Sequence, residues 1–152
     1  MFWKNCCNPF AKALFLTILL CVSAQIVTGQ DPTAGDGWKD SATGLIWAIK
    51  DNGSDVNWTA ARDYCDNLTL GGQSDWRLPT IDELETVYDR AQSKKYKAKG
   101  PIELGDASVW SGTSNNSGEV WNFYFTYGGR SLTRASGHSS YGRALCVRKA
   151  GE

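Results

Sequence analysis

Imidazole is almost absent from this 152-residue chain: His138 is its one histidine. No metal-ligand spacing of the usual kinds occurs, and the nucleophile elbow G-x-S-x-G is missing. Ser136, Ser139 and Ser140 surround His138 in the stretch ASGHSSYG, but nothing fixes a third catalytic member, so His138 reads as a loop histidine and the chain as no enzyme. No cofactor is expected. Excess charge is lacking too, with 16 Lys and Arg against 16 Asp and Glu. A nucleic-acid partner needs a net or clustered positive field, so it is excluded as the main ligand. The apolar run Ala13–Val22 is about half of the ~20 residues that a membrane span requires. There is no internal repeat, coiled coil or low-complexity tract.

What is present begins with an export signal. Lys4 and Lys12 precede the apolar run, and Val22-Ser23-Ala24 supplies small residues for cleavage, which makes 1–24 a signal peptide. A second cut after Gly29 stays open. Cys21 invites lipidation, but Leu20 before it is larger than the small residue that lipidation favours. Taking Lys4 and Lys12 from the 16 basic residues leaves 14 against 16 acidic ones, so the mature chain is weakly acidic. A secreted or periplasmic location follows.

Of five cysteines, Cys6, Cys7 and Cys21 leave with the signal, and Cys65 and Cys146 remain. In an oxidising compartment they form one disulfide, closing a loop of 146 − 65 = 81 residues. In a reducing compartment they would be two buried thiols.

Residues 25–36 are polar with Gly and Pro, a flexible lead-in, and the domain spans 37–150. Trp38, then Leu45, Trp47 and Ile49, alternate around a turn at Asp40–Gly44, predicting a hairpin. Asp51–Asp55 (DNGSD) gathers two carboxylates and an Asn around a glycine but lacks the Glu that closes a calcium loop, so it reads as a turn. Trp58, Ala61, Cys65 and Leu68 fall on one helical face with Asn57 as N-cap.

In SDWRLPTIDELETVYD, Trp76 and Leu78 share one side of an extended segment that Pro79 ends. Thr80 and Glu83 then form a capping box for a second helix running to about Arg90. Asp82 and Glu83 suit the helix N-terminus, so with Glu85 they read as capping and a solvated face rather than a catalytic pair. Lys94, Lys95, Lys97 and Lys99 crowd around Tyr96 as a solvated loop or an anion-binding patch. The last third reads as β. Trp121, Phe123, Phe125 and Tyr127 share a face, Gly128-Gly129 makes a two-residue turn, Phe125 faces Leu132, and ALCVR is the final strand.

TGLIW, W-x-x-A-x-x-Y-C, DWRLPTIDELETVYD, VWSGTS, an aromatic hairpin and a closing CVR resemble the C-terminal domain of the Legionella collagen-like adhesin, over roughly Gly37 to Lys149. The resemblance implies an α+β, C-type lectin-like fold related to the formylglycine-generating enzymes, with two helices packed on small antiparallel sheets. It also implies that the first-helix cysteine, Cys65, is tied to the last strand through Cys146, in agreement with the count of cysteines.

Three departures limit the transfer. True calcium-dependent lectins carry a Glu-Pro-Asn or Gln-Pro-Asp loop and a Trp-Asn-Asp strand, whereas this chain reads Trp121-Asn122-Phe123. Both mature cysteines are placed structurally, which argues against an oxidase. The collagen-like Gly-X-Y stalk is absent, so any homotrimer has to be made by the domain itself.

The family's association with sulfated polysaccharides directs attention to Lys94, Lys95, Lys97, Lys99, Arg130 and Arg134, cations suited to sulfate. The acidic balance weighs against a strong polyanion binder. A neutral glycan or an envelope protein, bound in a structural or assembly role, is the alternative partner.

Overall fold

A computed structural model describes residues 37–135 and 141–151. The signal segment 1–24, the lead-in 25–36, and His138 with Ser136, Ser139 and Ser140 lie outside the described residues.

Asp40 sets the first turn by accepting from the Thr43 hydroxyl at 2.7 Å and the Ala42 N–H at 3.3 Å. Its carbonyl takes the Gly44 N–H at 2.8 Å, an arrangement in which a short acidic side chain stands in for backbone partners. β1 (Trp38–Lys39) thereby folds back on β2 (Leu45–Trp47), as the alternation predicts. β6 (Val147–Lys149) pairs with the other edge of β2, Trp47 opposite Val147, in the order β1-β2-β6. The first and last strands of the domain thus share one sheet.

α1 (Trp58–Asp66) starts where the Asn57 side chain accepts from Ala60 N–H at 2.9 Å. Ala61 and Cys65 are buried while Trp58 and Leu68 pack partly buried beside them, the face read from the spacing. Cys65 is bonded to Cys146 with Cα atoms 5.4 Å apart, joining α1 to the segment entering β6.

α2 (Ile81–Thr86) opens on the expected capping box: Glu83 N–H donates to the Thr80 hydroxyl at 3.1 Å, and Thr80 N–H donates to the Glu83 carboxylate at 2.7 Å. It ends well before Arg90. The reason is tertiary: Lys99 N–H donates to Val87 carbonyl at 2.8 Å and Asp89 N–H to Lys97 carbonyl at 2.8 Å, so residues 87–89 pair with the returning loop instead of continuing the helix.

β3 (Ser108–Ser114), β4 (Glu119–Tyr124) and β5 (Gly129–Arg134) form the second antiparallel sheet, in that order. Its last hairpin departs from the sequence reading. Tyr124 lies opposite Gly129 and Trp121 opposite Leu132, so Leu132 does not face Phe125. The connection uses four residues, 125–128, and Gly128 at φ 78° closes it by donating to the Tyr124 carbonyl at 2.8 Å. Phe125 still enters the core, but Tyr127 leaves the aromatic face, 67% exposed and stacked on Tyr124 at 5.5 Å.

Neighbouring residues along the strands serve two separate cores. Trp47, Val109, Leu145 and Val147 join Phe123, Phe125 and Leu84 in one. Ala48, Trp110, Ala144 and Cys146 join Trp76, Leu78 and Ala61 in the other. Period-two side-chain alternation explains this division, with β3 and the approach to β6 buried on both faces. The described residues form an α+β fold, with two helices, two small antiparallel sheets and one disulfide among them. Among the described residues no helix is long and apolar enough to cross a membrane.

Candidate functional site

The lysine loop, residues 89–99, is built on fixed backbone. Besides the two bonds that end α2, Lys97 N–H donates to the Phe125 carbonyl at 2.7 Å, docking the loop on the β4–β5 turn. The Asp89 carboxyl is held below its ordinary range by Gln92 first, then by the Ala91 N–H, against a little desolvation, with the charge of Lys99 adding last.

The four lysines divide. Lys94 donates to the carbonyls of Gly100 and Ile102, the latter at 3.0 Å, and Lys97 donates to the Gln92 carbonyl at 2.6 Å. These two ammonium groups close the loop on itself. Lys95 lies over the Tyr96 ring at 4.8 Å, and the Lys99 ammonium makes no hydrogen bond among the described residues. Lys94, Lys95, Tyr96, Ile102, Glu103 and Leu104 line an open depression of about 220 Å³.

Arg130 is placed elsewhere. It spans Asp82, at 2.9 Å, and Glu85 on α2, so its charge is already countered by two carboxylates. Arg134 is exposed at the end of β5, opposite Glu119, and no contact joins it to the lysine loop. The lysines thus share one loop, while Arg130 is engaged by α2 and Arg134 lies at the end of β5.

The DNGSD segment is a turn. Asp51 accepts from the Gly53 N–H at 2.8 Å with one oxygen and from the Gly105 N–H at 2.6 Å with the other. Asn52 accepts from the Ala144 N–H at 2.8 Å, and Asp55 pairs with Arg143 at 3.1 Å. Its acids and amide thus knit this turn to the 102–105 and 143–144 segments.

Sequence reasoning passed over Lys50, Tyr64, Glu103 and Leu104, which line depressions next to the lysine loop. No single stretch carries a signal for them, because they come from separate loops and from the outer side of α1.

No match is found among curated proteins. The model of the family described as the Lcl C-terminal domain matches residues 37–148, well over half of the chain and nearly all of the described fold. This chain therefore belongs to the Lcl C-terminal domain family.

Proposed function

We propose that the domain is a secreted or periplasmic, non-enzymatic binding module that attaches to polysaccharide, sulfated or otherwise, without calcium. The observation carrying this reading is the fixed loop that presents Lys94, Lys95 and Tyr96 around an open depression. Ammonium groups donate to hydroxyl and sulfate oxygens, and an aromatic face covers the C–H side of a sugar ring. A rigid backbone lowers the ordering cost of binding. The resemblance to an adhesin's terminal domain supports the same reading, and the Cys65–Cys146 bond agrees with an oxidising compartment.

The test is a glycan array with sulfated and neutral members, run with and without calcium. Retention of at least one polysaccharide class under both conditions is expected, and failure to retain any glycan overturns the reading.

A second reading, assembly into an envelope complex, draws on Leu132, 38% exposed on the edge strand β5 beside the partly buried Trp121. Elution from heparin that shifts with salt favours the first reading, whereas co-purification with one envelope protein at high salt favours the second.

A further inference from the structure

The depression at the lysine loop does not end there. Glu103 and Leu104 also line a second depression of about 280 Å³, with Lys50, Asp51, Gly53 and Gly105. Lys50 and Asp51 in turn line a third, of about 200 Å³, with Tyr64, Leu68 and Leu70. Each shares lining residues with the next, and we take the three together as one furrow. It runs from Tyr96, past Glu103 and Lys50, to Tyr64 on α1.

The floor is held by backbone. Lys50 and Glu103 sit side by side in a parallel bridge, and Glu103 N–H donates to the Ile49 carbonyl at 2.7 Å. Both oxygens of Asp51 are occupied by the Gly53 and Gly105 N–H groups, so this acid shapes the furrow from below. The Lys50 and Glu103 side chains are exposed and make no ion pair or hydrogen bond among the described residues. They offer one cationic donor and one anionic acceptor at the centre. Tyrosines stand at both ends, Tyr64 being 39% exposed, with leucines between.

The geometry points to this furrow as the site for a linear, uncharged oligosaccharide, an assignment that rests on the polysaccharide reading above. Sugar rings present apolar C–H faces and hydroxyl edges that both donate and accept, which matches tyrosine and leucine walls around a paired donor and acceptor. Lys50 and Glu103 cancel in charge and Asp51 adds a negative one, so the middle of the furrow does not favour a polyanion. An elongated, open trough suits a chain rather than a compact ligand, which would be enclosed.

The full-length mature protein is titrated with linear neutral oligomers of β-1,4-linked glucose, N-acetylglucosamine and mannose, and with heparin fragments of matching length. At least one neutral series should bind, tighter with chain length until the furrow is filled, and with little response to salt. Tyr64→Ala and Glu103→Gln should each weaken that binding about tenfold, while melting temperature and the disulfide stay unchanged. Two exposed variants on different segments guard against a folding artefact. Neutral binding that ignores both substitutions, or no neutral binding while heparin fragments bind, overturns the furrow and leaves the polysaccharide reading standing. Binding of neither class overturns both.

Discussion

Arg77 grips Glu83 with both prongs of its guanidinium, Nη1 to Oε2 at 2.8 Å and Nη2 to Oε1 at 2.7 Å. The same carboxylate closes the capping box of α2, while the backbone of Arg77 exchanges two hydrogen bonds with Val147 at the start of β6. One acid thus ties the start of a helix to the terminal sheet.

Glu83→Gln is expected to cost about 1–2 kcal/mol, because it replaces a charge-assisted pair that is partly open to solvent. The loss has a defined pH signature. Burial alone would raise the Glu83 carboxyl, but Arg77 and the Thr80 N–H outweigh it and hold the group below its ordinary range. A depressed folded-state value means stability that is complete above about pH 4.3, the ordinary glutamate value, and lost as pH falls through the folded value. Thermal melts between neutral and strongly acid pH should therefore show a difference between wild type and variant that shrinks with acidification.

Removing the Cys65–Cys146 bond, by reduction or by replacing both residues with Ala, is expected to cost up to about 4–5 kcal/mol on the chain-entropy account for its 81-residue separation. Both sulfurs are buried, so reduction should be slow in the folded state and fast in denaturant. Chemical denaturation with and without reductant measures this.

Lysine substitutions should split into two classes. Lys95→Gln with Lys99→Gln should weaken binding to sulfated glycan with little change in melting temperature, since the contacts of Lys95 with Tyr96 and of Lys99 with Asp89 are solvent-screened. Lys94→Gln with Lys97→Gln should also lower stability by about 1 kcal/mol through lost bonds to loop carbonyls. Heparin retention and thermal melts on each pair decide the matter. Unchanged retention in both paired variants removes the loop from the sulfated-glycan reading.

Gly118 and Gly128 separate strain from collision. Their φ angles are nearly equal, 74° and 78°, but an added Cβ meets nothing within 4 Å at Gly118, while at Gly128 it comes within 2.6 Å of the Tyr88 ring. Gly118→Ala is expected to cost about 1 kcal/mol from backbone conformation alone, and Gly128→Ala about 1–3 kcal/mol more. Equal destabilisation in denaturant melts would contradict the packing of the turn on Tyr88.

What the sequence made legible was local. Asn57, Thr80 and Glu83 cap their helices through partners within three residues, and the face bearing Ala61 and Cys65 follows from spacing alone. The disulfide followed from the export context and the count of remaining cysteines. The misread features depend on distant partners. α2 stops short because the Val87 carbonyl finds a donor, and the Asp89 N–H an acceptor, in the lysine loop. The β4–β5 register moves because Gly128 serves a four-residue turn, where Gly128-Gly129 resembles a two-residue one. Arg130 reads as a free cation until Asp82 and Glu85 are seen beside it.

The covalent link between α1 and the approach to β6 also has a mechanical meaning. Tension applied at Trp38 and Lys149 can peel away only what lies outside the segment from Cys65 to Cys146, because the applied force passes through the sulfur bridge and bypasses the segment it closes. The lysine loop and the β3–β5 sheet lie inside that protected segment, whereas Lys50 and Tyr64 lie outside it. A hard pull would therefore draw Lys50 and Tyr64 away from Glu103 and Tyr96 before it unravelled the lysine loop.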